Sequence, residues 1–145
     1  MPESAIGTCL AFDYGSKRIG TAIGEATVTS TKPLTVVANI NGTPDWEAID
    51  QLIGEWQPSD LVVGWPLTEN GEMQPLTHHV AGFIKRLEKR YSLPVHKADE
   101  RFSSMAAQEE IRRQRASGQR KRKSRHEDVD TVAAALILET WFTTR

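Results

Sequence analysis

The sequence has little that could form a disulfide or insert into a membrane, since it contains one cysteine in 145 residues and no long apolar run. Cys9 has no second cysteine with which to form an intrachain disulfide, which fits the reducing cytoplasm or simply a protein that needs no disulfide. The longest apolar run, residues 132–138, is far shorter than the roughly 20 residues that a helix needs to cross a bilayer. No basic and then apolar leader opens the chain. We therefore expect a cytoplasmic protein that has no membrane partner.

The composition excludes several unusual classes of protein. The chain is 39% hydrophobic and 26% charged, which does not fit the collagen-like, disordered or disulfide-rich classes. Its length suffices to bury a hydrophobic core in one unit. We expect a single domain over residues 1–145.

Acidic residues are missing from segment 112–125, although the net charge of the whole chain is only −1. This basic segment holds eight of the 18 basic residues: Arg112, Arg113, Arg115, Arg120, Lys121, Arg122, Lys123 and Arg125. Positive charge gathered in one place offers a local binding surface for a polyanion such as nucleic acid. A solvated loop with no partner is the alternative, and charge alone does not decide between the two.

The first forty residues predict three antiparallel strands. The short runs 6–13, 19–25 and 34–40 are rich in β-branched residues and are separated by Gly, Ser, Lys and Pro. A helix should follow, with Thr43 as its cap and Pro44 in its first turn. Its apolar stripe has helical spacing: Trp46, Ile49, Leu52, Ile53 and Trp56.

The rest of the chain alternates between strand and helix patterns. Runs 60–64 and 93–98 predict two further strands, with a helix around residues 80–87 between them. A third helix should run from Ser103 or Ser104 to about Arg115, and a last helix should begin near Glu127. The order predicts an α/β fold in which helices pack on a mixed five-stranded sheet.

Three carboxylates fall at positions that could converge. Asp13 ends the first strand, and Glu100 lies just after the strand 93–98. Side-chain alternation places the neighbouring Asp99 on the face opposite to Glu100. Asp130 lies in the first turn of the last helix, where the small residues 132–135 would let the helix approach the sheet closely. Each residue alone has a structural explanation: Asp13 as a turn former, Glu100 in a surface ion pair, and Asp130 beside a helix dipole.

Converging carboxylates suit Mg²⁺, which prefers oxygen ligands. Two such ions bridged by a shared carboxylate stabilise the attacking and leaving oxygens of phosphodiester hydrolysis. No Ser-His-Asp pattern is evident. Zinc-motif spacing is also missing from the four histidines: His78, His79, His96 and His126.

Taken together, these residues resemble the YqgF family, also called RuvX-like, of Holliday-junction-resolvase-like proteins and nucleases for the precursor of small-subunit (16S) ribosomal RNA. Four blocks in order carry the resemblance: LAFDYGSKRIG (10–20), VVGWPL (62–67) with the turn at 70–71, DERFSS (99–104), and DTVAA (130–134). The match extends over nearly the whole chain.

The resemblance implies a ribonuclease-H-like fold and metal-dependent nuclease chemistry. The acidic triad of the family falls on Asp13, Glu100 and Asp130, which would hold Mg²⁺ or Mn²⁺. Lys17 and Arg18 would help to hold phosphate. Within the basic segment, we expect contacts to the nucleic-acid backbone from Arg120, Lys121, Arg122, Lys123 and Arg125.

We expect a ribonuclease that processes an end of precursor 16S ribosomal RNA. The alternatives are a structure-selective Holliday junction DNA resolvase, and a non-catalytic RNA-binding or transcription-associated module. A two-fold-symmetric junction favours a homodimer, whereas trimming RNA requires only a monomer. The sequence does not decide the oligomeric state.

Overall fold

Six strands form one sheet in the computed structural model, which describes residues 7–99 and 125–144. The strands are β1 (Thr8–Tyr14), β2 (Arg18–Glu25), β3 (Ser30–Ile40), β4 (Thr43–Pro44), β5 (Asp60–Trp65) and β6 (Val95–Asp99). Their order across the sheet is β4-β3-β2-β1-β5-β6. The pairs from β4 to β1 are antiparallel, whereas β1, β5 and β6 run parallel. The carboxyl ends of β1, β5 and β6 therefore lie at one edge of the sheet.

Three helices are described: α1 (Trp46–Trp56), α2 (Pro75–Tyr91) and α3 (Arg125–Thr144). The Asp45 carboxylate caps α1 by accepting a hydrogen bond from the Ala48 amide at 3.2 Å. A reciprocal capping box between Gln74 and Thr77 begins α2. The first and second helices end on residues in the left-handed conformation, Gln57 and Ser92.

Helices cover both faces of the sheet. Side chains alternate along each strand, so one strand can contribute apolar residues to the core on each face. Leu10, Phe12 and Tyr14 of β1 pack with α1 and α2, and Phe12 meets Phe83 edge-to-face at 5.5 Å. Cys9 and Ala11 of the same strand pack instead against α3, with Ile137, Leu138 and Trp141. The mixed α/β architecture is confirmed.

The sheet has one strand more than the five that we predicted, and α1 begins later. Asn41 and Gly42 have φ of 53° and 77°, which is the conformation of a two-residue hairpin turn. That turn pairs Thr43 and Pro44 with the end of β3. Predicting Thr43 as the helix cap and Pro44 as its first turn was therefore wrong, and Asp45 is the cap. The Asn-Gly pair is a hairpin signal that could have revealed β4.

Two other boundaries differ from the prediction. The third strand begins at Ser30, four residues earlier than predicted. It contains Pro33, which lies outside the part of β3 that pairs with β4, so the missing N–H of proline removes no hydrogen bond to β4. The last helix begins at Arg125, two residues before Glu127. The helix predicted from Ser103 or Ser104 to Arg115 lies outside the described residues.

Candidate active site at the carboxyl edge of the sheet

Asp13 lies near the carboxyl end of β1 and is half-buried. Alternation places its side chain on the face that carries Cys9 and Ala11, which is the face covered by α3. Its cross-strand partner on β2 is Gly20. The position that faces Asp13 in the sheet therefore has no side chain.

Asp130 lies against this same Gly20. A Cβ atom built on Gly20 would stand 2.1 Å from the backbone oxygen of Asp130 and 3.1 Å from its Cβ, so no larger residue fits. The first turns of α3 thus rest on the backbone of β2, one strand away from Asp13. The backbone of Asp130 thus lies against the cross-strand partner of Asp13, on the face of the sheet to which alternation assigns the Asp13 side chain.

Small residues continue this close approach along β2. Ala22 packs against Ala134 and Ala135, and a Cβ on Gly24 would stand 2.7 Å from a methyl carbon of Leu138. The small residues on the helix were predicted to allow this approach, but Gly20 and Gly24 on the strand were missed. Their signal was available, because positions 20, 22 and 24 share one face of a strand and hold only Gly and Ala.

Arg18 pairs with Asp130. Its Nε donates to Asp130 Oδ2 at 2.7 Å, with the two side chains 38% and 22% exposed. The guanidinium therefore offsets the charge of one carboxylate at the site and orients it. Lys17, the other predicted phosphate contact, has an exposed side chain in the turn between β1 and β2.

Asn39 holds that turn in place and was missed in the sequence. It is almost fully buried, donates from its side-chain Nδ2 to the carbonyl of Gly15 at 2.7 Å, and donates its amide N–H to the carbonyl of Lys17 at 3.0 Å. A Cβ on Gly15 would stand 2.6 Å from the carbonyl of Arg18, so the turn also requires glycine. A buried Asn in a β-strand is a weak signal that only the folded structure explains.

The third predicted carboxylate, Glu100, lies outside the described residues. The described strand β6 ends at Asp99, which pairs with Trp65 of the neighbouring parallel strand. Ala98 packs on the α3 face, so alternation places Asp99 on the opposite face, as predicted. Within residues 7–99 and 125–144, no three acidic, histidine or cysteine side chains form a metal-binding group.

Most of the basic segment also lies outside the described part of the chain. Residues 112–124 fall there, including four of the predicted nucleic-acid contacts: Arg120, Lys121, Arg122 and Lys123. Arg125 is the first residue of α3. None of the described helices has the length and apolar character needed to cross a membrane.

The chain matches a family model described as RuvX, Holliday junction resolvase, over residues 7–144. It is 43% identical to a protein of Xanthomonas oryzae pv. oryzae over 145 residues, covering 97% of this chain and 93% of that protein. It is 42% identical to a protein of Haemophilus ducreyi, covering 93% and 95% of the two chains. Both relatives are named as candidate pre-16S rRNA nucleases.

Solved structures similar to this chain include Holliday junction resolvases. The T. thermophilus RuvC structure in complex with a Holliday junction aligns with a TM-score of 0.57 at 15% identity, over 96% of this chain and 95% of that one. The yeast mitochondrial resolvase Ydc2 also gives a TM-score of 0.57, at 10% identity, over 97% and 80% of the chains. At these identities the likeness shows the fold, which is the ribonuclease-H-like fold that we predicted.

Proposed function

The chain belongs to the RuvX family, and from that membership we propose that it uses Mg²⁺ or Mn²⁺ to process an end of precursor 16S ribosomal RNA in the cytoplasm. It is a nuclease that acts on the phosphodiester bonds of nucleic acid. The choice of precursor ribosomal RNA rests on relatives that bear this name and are 42–43% identical over almost their whole length.

One observation carries the chemistry, namely the contact between the backbone of Asp130 and Gly20, the strand partner of Asp13. It supports a site in which the carboxylates of Asp13 and Asp130 are neighbours, at the edge of the sheet where β6 also ends. Glu100 is the residue that follows β6, and we propose that it completes the site.

The residues present fit a divalent cation. Carboxylate oxygens are the ligands that Mg²⁺ and Mn²⁺ prefer, and neighbouring carboxylates repel each other unless cations offset their charge. Asp13, Glu100 and Asp130 would hold the ions. When bound, such ions stabilise charge on the attacking and leaving oxygens of the phosphodiester.

The other residues of the site have separate tasks. Arg18 orients Asp130 through its ion pair and adds a positive charge beside the position of the substrate phosphate. Lys17 projects from a turn that Asn39 fixes to β3, and its exposed side chain would meet a phosphate oxygen. The basic segment would contact the RNA backbone further from the cleaved bond.

A second candidate function is resolution of four-way DNA junctions, which the description of the family favours. A junction has two symmetric strands to cut, so that activity would require a homodimer with two sites. RNA trimming would require one site and a monomer.

Cleavage assays with purified protein separate the candidates. The substrates would be precursor RNA that spans a mature end of 16S ribosomal RNA and a four-way DNA junction, each with Mg²⁺ and with excess chelator. We expect cleavage of the RNA only, and only with Mg²⁺. Cleavage of the junction alone would replace the RNA proposal, and failure to cut either would favour a non-catalytic RNA-binding module.

A further inference from the structure

A basic pocket lies on the face of the molecule opposite α3, between the start of α1 and the last turns of α2. It has a volume of about 270 Å³ and is lined by Trp46, Arg86, Lys89 and Arg90. None of these residues belongs to the basic segment or to the turn that holds Lys17. The pocket is thus separate from the nucleic-acid contacts predicted from sequence.

The positive charge of this basic pocket is only partly neutralised. Arg90 donates two hydrogen bonds to Asp50, at 2.9 and 2.8 Å, and the Tyr91 hydroxyl donates a third at 2.6 Å. These bonds lower the pKa of Asp50 from 3.8 to about 2, so this carboxylate stays charged and is paired with Arg90. Arg86 and Lys89 are exposed and have no ion-pair partner among the described residues.

One wall of the pocket is the ring of Trp46, which is packed against two other aromatic rings. Trp46 packs against Phe83 with ring centroids 5.9 Å apart and against Tyr91 at 6.4 Å. The guanidinium of Arg90 lies over its ring at 5.2 Å, and Asp50 holds that guanidinium in place. An indole packed beside exposed cations is the combination that binds single-stranded nucleic acid, with bases stacked on the ring and phosphates on the cations.

The pocket also lies close to the structure that supports the active site. Arg86 donates to the carbonyl of Gly42, in the turn that follows β3, at 3.4 Å. Three residues earlier in the chain, Asn39 bonds the turn that carries Lys17. The corner between β3 and β4 therefore lies between the basic pocket and the β1–β2 turn that carries Lys17.

We propose that the basic pocket binds the backbone of single-stranded RNA away from the cleaved bond, with Arg86 and Lys89 on phosphate oxygens and a base against Trp46. This inference rests on the proposed function, because it extends the RNA path of that same active site. The protein would then contact its RNA substrate on both sides of the corner between β3 and β4.

The test measures how binding depends on salt. Fluorescence anisotropy would follow a labelled single-stranded RNA of about 20 nucleotides that spans a mature end of 16S ribosomal RNA and is longer than the roughly 4 to 16 nucleotides that one binding fold covers. Chelator would prevent cleavage. Removing one cation that neutralises a phosphate should flatten the slope of log affinity against log salt by about 0.7. We expect that change for Lys89→Ala and about twice that change for the double variant Arg86→Ala/Lys89→Ala.

Lys32→Ala is the matched control, because it removes the same charge from an exposed lysine on β3 that lines no part of the pocket. Its slope should equal that of the unchanged protein. An unchanged slope in the double variant would overturn the inference, and so would an equal flattening in Lys32→Ala, which would indicate a general charge effect. Thermal unfolding of each variant would show that it is folded.

The same RNA incubated with the unchanged protein and Mg²⁺ separates this inference from the proposed function. A flattened slope in the double variant without any cleavage would support the pocket and contradict the ribonuclease. Normal cleavage with an unchanged slope in the double variant would support the ribonuclease and contradict the pocket. Failure of the unchanged protein to bind the RNA would overturn both.

Discussion

Gly20→Ala should disable the enzyme without touching any carboxylate. The added Cβ would stand 2.1 Å from the backbone oxygen of Asp130, whereas real Cβ contacts are essentially never under 3.0 Å. The start of α3 must therefore move by about 1 Å, since the backbone oxygen cannot rotate away. A misplacement of that size at a catalytic group can lower the rate about 100-fold. Overpacking at the same contact should cost about 1–3 kcal/mol of stability.

Gly24→Ala on the same strand is the control for this prediction. Its Cβ would meet a methyl carbon of Leu138 at 2.7 Å and the carbonyl of Ser30 at 2.7 Å, two helical turns away from Asp130. It should destabilise the protein to a similar degree but leave the rate per folded molecule almost unchanged. Single-turnover cleavage and urea unfolding of both variants give the comparison. Equal rates for folded Gly20→Ala and the unchanged protein would refute the argument that this contact positions Asp130.

Three further predictions concern other parts of the chain. Gly82→Ala adds a Cβ that meets nothing within 4 Å on a helix, so it should raise stability by about 0.5–1 kcal/mol and the melting temperature by about 1–4 °C. Asp50→Asn should lower the free energy of unfolding by less than about 1 kcal/mol at neutral pH. Because the pKa of Asp50 is lowered, urea unfolding should show this difference in full above pH 3.8 and show it disappear as the pH falls through about 2. A variant with Ala in place of Arg120, Lys121, Arg122 and Lys123 should show a flatter slope of log RNA affinity against log salt concentration. Its turnover at saturating RNA should be unchanged.

The sequence was sufficient where local pattern controls structure. The β-branched runs predicted the five main strands because strand alternation and turn residues are local properties. The placement of Asp13 near a strand end followed in the same way. Asp130 lies in the second turn of α3 and not in the first as predicted, because the helix begins two residues earlier than expected. The Thr43-Pro44 error arose because a hairpin at Asn41-Gly42 competed with a helix start only two residues later.

What the sequence concealed depends on contacts between distant segments. Gly20 and Asp130 are 110 positions apart, and nothing local to either residue shows that their backbones touch. Asn39 lies in a strand that looks ordinary, yet it fixes the turn after Asp13. The basic pocket joins α1 to α2 across the surface and has no sequence motif. Such features require the register of the sheet and the packing of the helices on it.

The most direct test is the Mg²⁺-dependent cleavage rate of amide variants at the three proposed ligands. Asp13→Asn, Glu100→Gln and Asp130→Asn should each lower the rate by more than about 100-fold, since loss of residues that merely support metal ligands already costs 10- to 100-fold. Asp99→Asn is the control, because Asp99 adjoins Glu100 in sequence but lies on the opposite face of β6. It should cleave at nearly the normal rate. A folded variant of Asp13, Glu100 or Asp130 that cleaves as fast as the unchanged protein would contradict the metal site proposed for that residue.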